Sequence, residues 1–120
     1  MPITYKVLGQ TGTGGNFGNG AATLVANTAT NLYTVPSLTS AIISTINICN
    51  QSTGPDTVSV AVRPGGSALS NQQYICFLEN LAPLSTMSLT LGATLAAGDI
   101  ITVLSTNGTS SFSAFGSEIS

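Results

Sequence analysis

The sequence predicts an all-β protein: an antiparallel β-sandwich, jelly-roll-like, of about eight short strands, with its first strand carried on a glycine-rich tether. Three observations lead there. Apolar and polar residues alternate with a period of two along most of the chain. Glycine- and proline-bearing turns separate these runs at intervals of roughly 8–12 residues. No segment sets apolar residues at helical spacing behind a capping residue, and the abundant Ser, Thr, Val and Ile are poor helix formers. A small closed barrel is the alternative arrangement of the same strands.

Taken in order, "ITYKV" places Ile3, Tyr5 and Val7 on one side and Thr4 and Lys6 on the other. After the glycine-rich stretch, "AATLVANTATNLYTVP" continues as strand-like sequence up to Pro36. "AIISTINIC" puts Ile42, Ile46 and Ile48 on one face, with Ile43, Thr45, Asn47 and Cys49 opposite. The turn "NQSTGPD" leads to "TVSVAV", where Val58, Val60 and Val62 alternate with Thr57, Ser59 and Ala61. "RPGGSALSN" turns the chain into "YICFLE", apolar on both faces, which reads as a strand covered by the core on one side and by a neighbour on the other. "MSLTL", "DIITVLS" and "SSFSAF" complete the set, separated by the hairpin signals "AAGD" and "TNG".

The stretch "GTGGNFGNG", residues 12–20, poses a choice between a phosphate-cradling loop and a hinge. A dinucleotide fingerprint needs a third glycine where this chain has Phe17, and a helix to follow; neither requirement is met. No GK[ST] follows either. The segment therefore reads as a connector. It divides the chain into an N-terminal arm, residues 1–21, and a sandwich domain, residues 22–120. An arm on such a tether can pair with an open sheet edge of another copy; the plainer reading is a surface loop closing a hairpin.

Charge is the scarcest commodity. Of 120 residues, 5% are charged, where roughly a quarter is usual, and the mean hydropathy is +0.40. Lys6 and Arg63 alone cannot build a phosphate-binding stripe or an electrostatic membrane anchor, so nucleic acid and membrane are not expected partners. No apolar run approaches the roughly 20 residues of a membrane span. The start "MPITYKVLGQ" lacks the features of a signal peptide, so synthesis in the cytoplasm is expected. A surface so poor in charge repels copies of itself weakly, which favours assembly.

Catalytic chemistry has little to work with. There is no histidine, and Asp56, Glu79, Asp99 and Glu118 lie in different elements. Asp56 and Asp99 sit beside glycine or proline turns, where aspartate has a structural use. Cys49 and Cys76 have no basic neighbour in sequence and read as buried free thiols, with a disulfide between them the alternative. No enzyme activity, cofactor or metal is expected. Tyr33 and Tyr74 are the residues a glycan-binding sandwich would offer. The terminal "SFSAFGSEIS" puts Phe112 and Phe115 on opposite faces of a strand, leaving one in need of cover.

The succession "YKVLGQ", "LYTVP", "STINICNQ", "AVRPGG", "YIC", "LTLGATLAAGDIITV" and "FGSEIS" resembles a group of small virion structural proteins of tailed bacteriophages, of the cyanophage type. The likeness spans most of the chain except residues 11–22, where the glycine insert departs from the group. The resemblance implies a place in the virion, most naturally as a capsid decoration or cement protein. Such a protein associates with itself, often as a trimer, and with a major capsid protein. A tail, neck or fibre component and a glycan- or receptor-binding module are the alternatives. The candidate interface residues are Ile3, Tyr5, Val7, Phe17, Phe77, Phe112, Phe115 and Ile119.

Overall fold

The computed structural model describes residues 3–120, which form nine strands: β1 Ile3–Gly12, β2 Gly15–Gly18, β3 Thr30–Thr34, β4 Ser40–Asn50, β5 Asp56–Arg63, β6 Tyr74–Leu81, β7 Thr86–Leu95, β8 Ile100–Ser105 and β9 Ser110–Ile119. Two single 3-10 turns, Pro64–Gly66 and Asn71–Gln73, lie between β5 and β6. The runs named from sequence periodicity fall in β1 and in β4 through β9. The strands build two antiparallel sheets, one in the order β2-β1-β9-β4-β7 and the other β3-β8-β5-β6.

The pairing has a simple logic. β5 pairs with β6, β4 with β7, β3 with β8 and β1 with β9. These are hairpins nested one inside the next, and successive ones fall alternately in the four- and five-stranded sheets. That is the jelly roll the sequence predicts, a ribbon of paired strands rolled into a sandwich. β2 is an addition to it, a short strand turned back against β1.

The inner faces meet in one core. Leu8, Ile43, Ile46, Ile48, Phe112 and Ala114 come from the five-stranded sheet; Leu32, Tyr33, Val58, Val60, Ile101 and Val103 come from the other. At about 25 cal/mol per Å2 of apolar surface removed from water, this cluster is the main driving force for folding. Two irregularities set which residues it receives. A register shift between Val7 and Gly9 turns Leu8 inward. A second, between Ile43 and Thr45, puts Ile43 with Ile46 and Ile48 in the core and turns Ile42 out. The strict alternation expected for "AIISTINIC" had Ile42 and Ile43 exchanged, because a bulge inverts the phase of the residues beyond it.

The glycine-rich segment closes a hairpin, the plainer of its two readings. β1 is bonded to β2 on one side and β9 on the other, so the described part of the arm and the domain 22–120 contribute strands to the same sheet. Gly12 and Gly15 face each other across a two-residue turn. Gly18 has φ +102°, and a Cβ there would lie 2.2 Å from the Leu8 carbonyl oxygen, so only glycine fits. Residues 19–29 run as an irregular segment rather than a strand. It is tied down by the Ala22 N–H to Asn31 carbonyl bond (2.9 Å), the Leu24 N–H to Gly12 carbonyl bond (3.1 Å) and burial of Leu24.

β6 also departs from expectation. It is a sheet edge, and Ile75, Phe77 and Leu78 are exposed rather than covered on both faces.

Candidate functional site

Phe112 and Ala114 are fully buried, which fixes the phase of β9: its odd-numbered residues from 111 to 119 point away from the core. The cross-strand register carries this assignment to the neighbouring strands. Val7 lies beside Phe115, which lies beside Thr45. Tyr5 lies beside Ser117, which lies beside Ile42. Ile3 lies beside Ile119, which lies beside Ser40. One half of the outer face of the five-stranded sheet is therefore apolar, built from Ile3, Tyr5, Val7, Ile42, Phe115 and Ile119. Tyr5 is 81% exposed. Ser117 is buried between Tyr5 and Ile42, and a groove runs there along Tyr5, Lys6, Ile42, Ser44 and Phe115.

The other half of the face is polar and uncharged. Gln10, Ser113, Asn47 and Ser88 stand side by side across four strands. The Gln10 amide donates to Ser113 Oγ at 3.3 Å, and the Ser88 hydroxyl donates to Asn47 Oδ1 at 2.7 Å. Phe17, directly across from Gln10 on β2, stands 57% exposed at the corner of this row. No ionised side chain alternates onto the face. Lys6 falls on the opposite phase of β1, and its Nζ sits 2.8 Å from Glu118 Oε1.

At the end of the sandwich that adjoins the apolar half, Leu38 is 93% exposed with φ +58°. The left-handed region costs an L-residue about 1–2 kcal/mol, so the chain carries strain to present an apolar side chain to solvent. Leu38, Thr39, Ala97 and Ile119 line a shared groove. Leu38 extends the apolar surface around the edge of the sheet.

Five of the residues singled out from sequence, Ile3, Tyr5, Val7, Phe115 and Ile119, thus converge on one surface. Phe17 shares the face but stands in its polar half. Phe77 lies elsewhere, on β6 of the other sheet, 60% exposed and in edge-on contact with Tyr74 at a ring-centroid distance of 4.8 Å. Phe112 is not an interface residue: it is fully buried, because its phase on β9 points it into the core. Tyr33 is likewise no stacking platform. It is buried, and its hydroxyl donates to Glu118 Oε2. Ile42 and Leu38 were missed. The bulge that turns Ile42 outward has no sequence signal, and Leu38 lies between the runs that periodicity picks out.

The titratable groups are held by structural partners. Asp56 is buried where β5 begins, β8 ends and β9 begins. Its Oδ1 accepts from the Thr57 N–H at 2.8 Å and the Asn107 N–H at 3.0 Å; its Oδ2 accepts from the Ser110 hydroxyl at 2.6 Å and from the Ser105 hydroxyl. Burial pushes the carboxyl pKa up, but these four donors outweigh it and hold it below the ordinary value. Asp56 is thus more than the turn residue expected from sequence. Glu118 is also lowered: burial opposes ionisation, and the bonds to Lys6 and Tyr33 overcome it. Tyr33 is raised, first by burial and then by its carboxylate partner. Asp99 is the turn residue expected, accepting from Gly65 N–H at 2.7 Å and Ala96 N–H at 2.9 Å.

Cys49 and Cys76 are free thiols, and burial together with the Glu79 charge pushes the Cys76 thiol up, away from reactivity. Among the described residues no group of three or more His, Cys, Asp or Glu is placed to hold a metal ion. Among the described residues no helix is long and apolar enough to cross a membrane.

These features define the chain as an all-β jelly roll with a charge-poor outer sheet face. Comparison with known families, with curated proteins and with solved structures gives no match.

Proposed function

We propose that this chain is a structural subunit of a bacteriophage virion, a capsid decoration or cement protein that docks through the outer face of its five-stranded sheet. The observation that carries the reading is the convergence of Ile3, Tyr5, Val7, Ile42, Phe115 and Ile119 on one charge-poor surface, with strained Leu38 at its margin. Contiguous exposed apolar surface on a soluble domain marks a contact site. The resemblance to small phage virion proteins supplies the partner class: a major capsid protein, together with further copies of the chain. A homo-oligomer presents several such faces at once. The work done is burial. Each subunit removes apolar surface from water across a capsid seam, and the many copies on a particle sum these contributions against shell expansion. No bond is made or broken, and no cofactor or nucleic acid takes part.

The test is retention on particles. Tyr5→Ser combined with Ile42→Ser, both exposed, leaves the core intact and removes the centre of the patch. Purified particles incubated with this variant, sedimented and quantified, are expected to retain far fewer copies than with the unsubstituted chain. Equal retention overturns the reading. Copy number separates shell from tail: hundreds of copies belong to a capsid lattice, a dozen or fewer to a tail or neck.

A second reading has one observation in its favour. The Tyr74–Phe77 pair, with Asn71 beside it, offers an exposed aromatic edge next to an amide, the combination a sugar ring takes. Glycan-array binding that is lost in Phe77→Ala would favour a glycan-binding module.

A further inference from the structure

The two sheets expose four edges, β2, β3, β6 and β7, and three of them are blunted. β2 has four residues. β3 has five and is broken by a register shift at its middle. β6 carries two register shifts, the charge of Glu79, and Leu78 in the left-handed region at φ +50°. Short length, bulges and charge are the devices by which native edges avoid pairing with other chains. β7 has ten residues, with neither charge nor proline. Its irregularity, facing the shift between Ile43 and Thr45, leaves residues 86–90 in unbroken register with β4. On its other side this run offers its N–H and C=O groups to solvent.

The side chains of the run say what fits there. Thr86, Ser88 and Thr90 face outward and are exposed. Met87 and Leu89 face the core but are only half-buried, since the sandwich has no further strand to cover them. The complement of this edge is an uncharged strand with hydroxyls on one face and large apolar groups on the other. The chain's own β7 has that pattern, and antiparallel pairing of a strand with its copy is permitted by a two-fold axis.

We propose that β7 is a self-pairing edge. Two copies join antiparallel through residues 86–90 about a two-fold axis at Ser88, forming one ten-stranded sheet. Met87 of each copy then lies against Leu89 of the other, closing the open flank of both cores. No like charges are opposed anywhere along the seam. The inference rests on the reading of the chain as an assembling subunit. It adds a contact distinct from the outer face, and its two-fold order differs from the trimer that the resemblance implies.

The test uses the purified full chain without particles. Light scattering over a concentration series is expected to give a dimer; a monomer at all concentrations, or a trimer, overturns the proposal. Ser88→Lys sets two ammonium groups against each other at the axis and is expected to weaken dimerisation by about tenfold or more. Thr90→Lys serves as a second variant that leaves the Ser88–Asn47 bond in place. Unchanged dimerisation in both, with the native circular dichroism spectrum retained, refutes the seam. In a Cys49→Ser, Cys76→Ser background, Ser88→Cys is expected to form an intersubunit disulfide on mild oxidation, since residues paired across the axis have Cα atoms about 4.5–5.5 Å apart. Asn47→Cys, one strand inward, is expected not to; the reverse pattern refutes the geometry. Loss of the dimer leaves particle docking by Tyr5 and Ile42 untouched. Loss of docking leaves the dimer untouched.

Discussion

Replacing Asp56 separates hydrogen bonding from charge in the clamp that joins β5, β8 and β9. In Asp56→Ala, the Thr57 and Asn107 N–H groups lose their acceptor, and the Ser105 and Ser110 hydroxyls lose theirs. The two backbone donors are only part-buried, so water can replace the lost acceptor in part and each costs toward the low end of about 1–3 kcal/mol. The hydroxyls can turn to each other. The expected loss is about 2–4 kcal/mol, a large part of the roughly 5–15 kcal/mol that holds a domain folded. Asp56→Asn behaves differently. Its carbonyl oxygen takes the place of Oδ1 and keeps both backbone donors; its NH2 takes the place of Oδ2, and the two serine hydroxyls reorient to accept. What is lost is charge assistance, about 1–2 kcal/mol.

The two variants also differ from the parent in their response to acid. A carboxyl whose folded pKa lies below its unfolded value of about 3.9 contributes stability that is complete above that value and fades as pH falls toward the folded pKa. Urea unfolding at pH 7 and across pH 5 to 2.5 measures both effects. The parent is expected to lose stability through this range, and Asp56→Asn to lose less of it. If Asp56→Asn is as damaging at pH 7 as Asp56→Ala, or keeps the parent's full acid sensitivity, the clamp does not work through these bonds.

Tyr33→Phe removes the hydroxyl that donates to Glu118; a loss of about 1–2 kcal/mol is expected in urea unfolding, with the onset of acid unfolding moved to higher pH because Glu118 loses a bond favouring its charged form. Leu38→Gly relieves the left-handed strain and is expected to raise Tm by up to about 3–5 °C while lowering retention on particles, so a scanning calorimetry trace showing a fall refutes the strain argument. Gly18→Ala drives a Cβ into the Leu8 carbonyl, and a destabilisation of about 2–4 kcal/mol by chemical denaturation is expected.

Fold class was legible because a half-buried sheet writes its two faces directly into the chain. Val58 and Val60, or Met87 and Leu89, announce strands without any tertiary information. The jelly-roll topology followed from strand number and turn spacing, but the partner of each strand did not, since pairing β1 with β9 depends on contacts a hundred residues apart. Bulges were invisible for a related reason. Nothing in "AIISTINIC" distinguishes Ile42 from Ile43 until β7 and β9 fix the register. "GTGGNFGNG" left tether and hairpin loop both open because flexibility and close approach use the same residue; Gly18 is there for the second. The apolar patch was half legible. Ile3, Tyr5 and Val7 stood out as an amphipathic strand needing cover, whereas Phe112 and Phe115 could not be told apart without knowing which way β9 faces. "YICFLE" looked doubly covered because hydrophobicity does not reveal whether a covering neighbour is part of the same chain.

The nested hairpins place β9 between β1 and β4, so the central strand of the larger sheet is made of residues 110–119. While the ribosome is still adding them, β1 has no neighbour except the short β2, and β4 is bare on one side. The inner hairpin of β5 and β6 can close early, but half of the sandwich must wait until residues 110–119 have been made. Long-range pairing of this kind is slow, and in the interval unpaired strands of many nascent chains lie open to one another. A cell making such a chain in quantity is therefore expected to depend on holdase chaperones in that interval.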